Sequence, residues 1–341
     1  LVSINENDKD ILIPSEERDV EMYPMDFEEF LWALDNDTMY PLIAECFNNR
    51  KPLGQALHRK AMDLFRLYLI VGGMPQAVKT YADTKDFDSV DTVKRRILKL
   101  YREDIRKHAI GYEMKVEAIF DEIPSQLQNQ NQHFKLSSLE KGARFDNYRD
   151  AMFWLSDAMI VNNCYNSTEP NIGLNLNRDR TLLKCYMGDT GLLISHCFDE
   201  KGIVSEEIYK KLLLGKLEVD LGMIMENIVA QMFTASGHKL FFYANSSRDD
   251  AEARMEIDFL IAKSKISNRH NISPIEVKSG KNYKKHAALN RLLEAYSFET
   301  ACVLSLNNVE QSDGIVYLPI YMAGLIPTET DSTYPDQIPA L

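Results

Sequence analysis

Cysteine is scarce in this 341-residue chain, and none of it is clustered. Cys46, Cys164, Cys185, Cys197 and Cys302 form no C-x-x-C pair and no Cys/His group. That argues against a disulfide scaffold and a structural zinc site, and makes a reducing cytoplasm the expected location. Long apolar runs are also missing. The longest candidate, around Phe65–Met74, is broken by Arg66 and by Gly72-Gly73, well short of the roughly 18 apolar residues a membrane span needs. No basic-then-apolar leader opens the chain, so export is not expected. No G-x-x-x-x-G-K-[ST] string occurs, so the phosphate-cradling loop built by that string is absent. The seven histidines are scattered, and none is assigned a catalytic role.

Hydrophobic residues make up 45% and charged residues 26% of the chain, which fits a globular protein and excludes wholesale disorder. The length suggests two or three domains. The net charge of −12 hides a segregation. Residues 1–40 carry twelve acids and two bases, whereas residues 263–291 carry eight bases and a single acid, Glu276. The acidic start cannot favour nucleic acid. The late basic stretch can, because Lys and Arg release counterions from phosphates; a solvated face is the plainer reading of the same charges.

Helical spacing of Phe27, Phe30, Leu31 and Leu34 predicts a first helix with Asp26 as its N-cap. A helical region then runs to about Thr80, interrupted at Gly72-Gly73-Met74-Pro75. Further helices are expected at about Val90–His108, Met114–Gln128 and Tyr148–Met159, with a short strand at Phe134-Lys135-Leu136. Strands at Ile160–Tyr165 and Leu182–Met187 would form a hairpin. Three helices followed by a hairpin outline a winged helix. Glu207–Leu214 is expected to be helical. From about Leu221 the pattern turns α/β. Helix Met223–Ser236 is followed by strands Lys239–Ala244, Met255–Ala262 and Ile272–Lys278, helix Asn282–Tyr296, and strands Thr300–Ser305 and Ile315–Ile320.

Side chains two apart on a strand share a face. Glu276 and Lys278 therefore point one way, as do Glu256 and Asp258, with Ile257 and Phe259 expected together on the opposite face. If the two strands pair, Asp258 and Glu276 meet with Lys278 beside them. Two close carboxylates repel and call for a cation. An all-oxygen donor set favours Mg²⁺ over zinc. Such an ion can polarise a phosphodiester and acidify a bound water, while a neighbouring lysine orients that water or stabilises developing charge. Glu226, on the preceding helix, could supply an outer carboxylate. Taken bare, Glu-x-Asp followed by Glu-x-Lys is also what a charged solvent face of a strand looks like.

The order helix, strand, hairpin, helix, strand makes the pattern more specific. It resembles the PD-(D/E)XK nuclease superfamily: helix glutamate Glu226, strand aspartate Asp258, then Glu276-Val277-Lys278, then a helix expected to carry Lys281, Lys284 and Lys285. The resemblance implies a mixed sheet flanked by helices and Mg²⁺-dependent cleavage of DNA or RNA. Asp258 and Glu276, with Glu226, would hold the metal, Lys278 would act at the water, and the three later lysines would meet nucleic acid.

More widely, MYPMDFEEFLWAL, YLIVGGMPQAV, KLYREDIRKHA, WLSDAMIV, KCYMGDTGLL, MENIVAQMF and EIDFLIAK…ISPIEVKSGK occur in this order. Together they are similar to the C-terminal part of a prokaryotic AAA-type ATP-binding protein, where an ATPase core precedes a helical lid, a winged helix and a nuclease-like domain. The fold this implies is α+β and multidomain. Residues 1–24 would be the tail of a truncated ATPase core, 25–90 the lid, 91–205 the winged helix and 206–341 the nuclease-like domain. Without the phosphate loop, ATP belongs to a longer protein only, and this chain is not expected to hydrolyse it. Gly72, Gly73 and Pro75 would, by resemblance, approach the adenine of that nucleotide; a plain helix stop explains them equally.

Between Lys135 and Asp189 seven bases face seven acids, so the winged helix reads as a packing module as readily as a DNA reader. The functional expectations are a Mg²⁺-dependent nuclease arm, a non-catalytic nucleic-acid- or protein-binding module of an ATPase switch, or a self-associating fold. DNA or other nucleic acid and a further copy of the chain are the expected partners, and a membrane is not.

Overall fold

Asp26 starts the first helix as its position requires. Its side chain accepts the Glu29 N–H at 2.8 Å while the Glu29 carboxylate takes the Asp26 N–H at 2.9 Å, a reciprocal capping box. The structure, a computed structural model, describes residues 20–128, 133–170, 173–198, 209, 221–245, 255–262, 272–296, 298 and 300–327. The expected ATPase tail through residue 19, and the helix at 207–214 apart from Tyr209, lie outside the described residues.

The described residues open with helices α1 (Phe27–Ala33), α2 (Met39–Asn48), α3 (Gln55–Val71) and α4 (Pro75–Thr84). Next come α5 (Phe87–His108), α6 (Glu113–Gln128) and α7 (Phe145–Asp157), then the hairpin β1 (Val161–Ser167) and β2 (Arg178–Met187), then α8 (Thr190–Cys197). The last part holds α9 (Leu221–Ala235), β3 (Phe241–Asn245), β4 (Met255–Ala262), β5 (Ile272–Lys278), α10 (Ala287–Ala295), β6 (Ala301–Ser305), β7 (Glu310–Ser312) and β8 (Ile315–Pro319), closed by a 3₁₀ segment, Ile320–Leu325. The fold is α+β. No helix among the described residues is long and apolar enough to cross a membrane.

Two expected elements differ. Phe134-Lys135-Leu136 is not a strand; it gives one ladder-like bond, Phe134 N–H to the Leu183 carbonyl at 2.7 Å, and turns into a 3₁₀ segment at Leu136–Ser138. The helix expected from Asn282 starts only at Ala287, so Lys281, Lys284 and Lys285 sit in the connection before it. Gly280 and the turn 281–284 delay the helix beyond the point where its apolar spacing begins.

The eight strands among the described residues form one sheet in the order β2-β1-β3-β4-β5-β6-β8-β7. The hairpin β1–β2 is thus an extension of the later sheet. β1 runs parallel to β3, with Tyr165 opposite Phe241 and Asn166 opposite Phe242. The antiparallel pairs β3–β4 and β4–β5 and the parallel pairs β5–β6 and β6–β8 make the sheet mixed.

Helix α9 is apolar nearly all round, so it is buried: Met223, Ile224, Met225, Ile228, Val229 and Phe233 are all in the core. Thr234 bonds back to the Ala230 carbonyl, and three other polar residues reach the segment 186–190. Asn227 accepts the Met187 N–H at 2.8 Å and donates to the Met187 carbonyl at 3.1 Å, and Gln231 accepts the Thr190 N–H at 2.8 Å. Glu226 is the third, and it leads to the site.

Candidate functional site

The pairing of β4 with β5 runs from Ala262–Ile272 to Phe259–Ile275, where its register ends. The ends of the two strands form a fork. Before the fork β4 is irregular. Phe241 opposes Leu260 and Tyr243 opposes Ile257, so two residues of β3 span three of β4. The extra residue breaks the alternation expected for this strand: Ile257 packs with Tyr243 and Leu289 on one face, whereas Phe259 packs against Tyr186 and Phe233 on the other. A bulge re-aims its side chains. Here it turns Asp258 into the fork, where one carboxylate oxygen accepts the Val277 N–H at 2.8 Å. The acid takes the place of the missing ladder partner.

On β5, Glu276 and Lys278 share a face as their spacing requires, and they form a direct ion pair. Glu276 is buried, at 3% exposure. From the α9 side, Glu226 accepts the Tyr186 hydroxyl at 3.0 Å and lies 3.4 Å from the ammonium of Lys184. That ammonium is 2.7 Å from Glu256. The structure therefore brings Glu226, Asp258, Glu276 and Lys278 together and adds Lys184 and Glu256. All six line one cavity of about 530 Å³.

The electrostatics follow from crowding. Burial, then the nearby charges of Glu226 and Glu276, push the Asp258 carboxyl well above the usual carboxylate range, against the opposing pull of Lys184 and the Val277 N–H. Burial works against the Lys278 ammonium, but Glu276, Asp258 and Glu226 outweigh it and its proton is held more firmly than usual. Lys184 behaves alike: burial opposes its charge, and Glu226, Tyr186, Glu256 and Asp258 together hold its pKa well above the ordinary value.

Among the described residues, no three His, Cys, Asp or Glu side chains converge as metal ligands in this arrangement. The reason is visible in the pairs: Lys184 holds Glu226 and Glu256, Lys278 holds Glu276, and a backbone N–H holds Asp258. The donors are nonetheless the right kind for Mg²⁺, all carboxylate oxygens. Four carboxylates line the cavity together with four cationic side chains, Lys184, Lys278, Lys285 and Arg291.

The three later lysines part ways. Lys285 lines the cavity. Lys284 is engaged by Glu310 at 2.5 Å. Lys281 is exposed in the turn. Gly72, Gly73 and Pro75 do not line the acid cavity and form a packing point. The Gly73 N–H donates to Asp189 at 2.6 Å, and the same carboxylate caps α8 through Leu192 N–H at 2.8 Å. A Cβ on Gly191 would stand 2.5 Å from the Gly72 Cα, and Gly72 itself has φ +84°, so close approach and a left-handed turn account for these glycines. Pro75 opens α4, where its missing N–H costs nothing.

Lys184 has only a faint signature in the sequence. Its signal is a single charge inside the apolar run Leu182-Leu183-Lys184-Cys185-Tyr186-Met187. Residues two apart share a face, and Lys184 and Tyr186 do so here, both reaching Glu226.

Comparison with known families gives two matches. Residues 62–201 match a domain of unknown function (DUF8612), and residues 221–322 match a second domain of unknown function (DUF4143). The second is a domain that occurs in the C-terminal regions of AAA-type ATPases. No curated protein and no solved structure matches the chain. The acid cluster thus draws Glu226, Glu256, Asp258 and Glu276 from the second matched segment and Lys184 from the first.

Proposed function

We propose that the chain is the C-terminal effector part of an AAA-type ATP-binding protein and that the fork is a Mg²⁺-dependent site for hydrolysing phosphodiester bonds in nucleic acid. On this reading α1–α4 form the lid, α5–α8 with the β1–β2 hairpin form a winged-helix unit, and α9 onward is PD-(D/E)XK nuclease-like. The observation that supports it best is the pairing of Asp258 with the Val277 N–H, directly beside the Glu276–Lys278 pair at the point where β4 and β5 part.

Asp258 and Glu276, with Glu226 beyond them, are the residues that would hold the metal. When bound, the ion supplies a polarised phosphoryl oxygen and a water of lowered pKa. The residues of the chain do the rest. Lys278 is about one-third exposed, at 32%, so its ammonium can leave Glu276 for the incoming phosphate and stabilise the charge that develops there. Lys285, on the cavity wall, and Lys281, in the exposed turn, are placed to meet flanking phosphates. No phosphate-binding loop is present in this sequence, so ATP turnover is assigned to a longer protein.

The test is cleavage of single- and double-stranded DNA and of RNA by the full chain in Mg²⁺ or Mn²⁺. Asp258→Asn and Lys278→Met should each lower the rate at least a hundredfold with an unchanged circular-dichroism spectrum. Cleavage that persists in Asp258→Asn, or that is absent on every substrate, would overturn the reading.

One observation favours a second reading, a nucleic-acid-binding module that does not cut: every carboxylate in the fork already has an internal partner. It predicts salt-sensitive binding that survives Asp258→Asn and weakens when Lys281 and Lys285 are neutralised.

A further inference from the structure

Glu276 lines the cavity yet is only 3% exposed. A phosphodiester must therefore enter the cavity to reach the fork; it cannot be met at the outer surface. The cavity holds about 530 Å³, inside the range of about 300–1,000 Å³ usual for small-molecule sites. A space of that size takes about one or two nucleotides and not a double helix.

Its lining comes from two parts of the chain. Gln126, Leu127, His133 and Phe134 belong to the end of α6 and the connection after it. This part is anchored. The Gln126 carboxamide accepts the Lys135 N–H at 2.9 Å and donates to the Ser138 hydroxyl at 2.7 Å, and the Phe134 N–H donates to the Leu183 carbonyl of β2 at 2.7 Å. The second part, from the end of β5 into α10, is cationic: Lys278, Lys285 and Arg291. Arg291 follows Ala287 and Ala288 by four and three positions, and all three line the cavity, so this face of α10 is turned to it. Three rings also line the cavity. Phe134 is buried in a core, and His286 is buried with both ring nitrogens bonded, to Asn290 and Tyr317. His133 is half-buried. Burial, then the charge of Lys135, lowers its pKa against the pull of Glu256 and Asp179, so at neutral pH it offers an uncharged ring.

We propose that the cavity binds a single strand of nucleic acid with unpaired bases, the His133 ring stacking on a base while Lys285 and Arg291 hold the phosphate next to the one at the fork. This rests on the nucleic-acid reading above and deepens it by naming the form of the substrate. An unpaired strand brings base and backbone into a pocket separately, whereas a duplex must first unstack and unpair. Stacking tolerates any base, because each has a flat face. The cavity thus selects strandedness, not sequence. Lys285, Arg291 and His133 are positioning residues and do not touch the reacting atoms.

The experiment is fluorescence anisotropy of fluorescein-labelled oligothymidylate and oligouridylate, and of their duplexes with complementary strands, titrated with the full chain in EDTA over a range of salt. The proteins are the wild type, Lys285→Met, Arg291→Met, Arg291→Lys, His133→Ala and His133→Phe. At least one of the two single strands should bind about tenfold more tightly than its duplex, and comparing the two shows whether DNA or RNA is preferred. Lys285→Met and Arg291→Met should each weaken binding and lower the salt slope by about one, and Arg291→Lys should keep the slope. His133→Ala should weaken binding about tenfold with the slope unchanged, and His133→Phe should restore it. Duplex bound as tightly as single strand, no binding of either single strand, or His133→Ala equal to wild type would overturn the proposal. Binding with these dependences but no cleavage in Mg²⁺ would sink the hydrolytic reading and leave this one standing. Metal-dependent cleavage of duplex as fast as of single strand would do the reverse.

Discussion

Lys94 is fully buried on α5, donating to the Ile70 carbonyl at 2.7 Å, with its ammonium 4.8 Å from the Tyr209 ring centroid. Burial lowers its pKa from 10.5 to about 8, although Asp91 and Asp189 pull the other way and Arg95 adds to the lowering. The sign of the consequence is fixed. Below about pH 8 the folded chain carries the cost of a buried ammonium. Between about 8 and 10.5 the unfolded chain holds more protons than the folded one, so stability rises with pH across that window. Chemical denaturation of the wild type and Lys94→Met between pH 7.5 and 10.5 should show this rise in the wild type, on the order of 1–3 kcal/mol. The methionine variant should lack it. Equal slopes in the two proteins would contradict this account of Lys94.

The turn between α3 and α4 and the start of α8 are held by one buried carboxylate. Asp189 accepts from Gly73 and caps α8 through Leu192. Its removal leaves two buried N–H groups without that partner. Asp189→Ala should therefore lose about 3 kcal/mol of stability in urea denaturation. Asp189→Asn, which keeps an acceptor, should lose less. At this scale the sequence was readable where chemistry is local. The Asp26 cap, the α3 stop at Gly72 and the facing of Glu276 with Lys278 all follow from neighbours a few residues away. The bulge at Asp258 was not readable, because it depends on the register between β3 and β4. Nor was the late start of α10. Its basic residues fit a helical pattern, but Lys284 gains a partner in Glu310, 26 residues on, only by staying in the turn.

Across the whole molecule, the cores do not follow the segments of the chain. One core joins Phe27, Phe65 and Tyr68 of the first helices to Phe233, Phe259 and Tyr321 of the last part. Polar contacts cross the same boundary: the Leu53 N–H donates to Asn308 at 3.0 Å, His58 meets the Tyr321 hydroxyl at 2.8 Å, and Gln231 donates to Tyr68 at 3.2 Å. A fragment of residues 206–341 should therefore expose apolar surface, bind a hydrophobic dye and lack a cooperative thermal transition, whereas the full chain should melt cooperatively. A fragment with a sharp transition and no dye binding would contradict this. Such coupling could not be read from the sequence, since the parallel contact of β1 with β3 joins residues about 76 apart with no local signal. Sequence separation hid Lys184 as well, since its partners Glu226 and Glu256 lie 42 and 72 residues further on. Asp258 and Glu276, by contrast, lie on two adjacent strands, and their spacing together with the order of the surrounding elements pointed to them.

The fork as a divalent-cation site is the claim on which the functional reading depends, and anomalous diffraction from crystals of the full chain soaked in Mn²⁺ tests it most directly. The account predicts an anomalous peak between the carboxylates of Asp258 and Glu276, with Lys278 moved off Glu276 and Lys184 still on Glu226 and Glu256. Crystals that take up Mn²⁺ elsewhere, or not at all, with the Lys278–Glu276 pair intact, would contradict it.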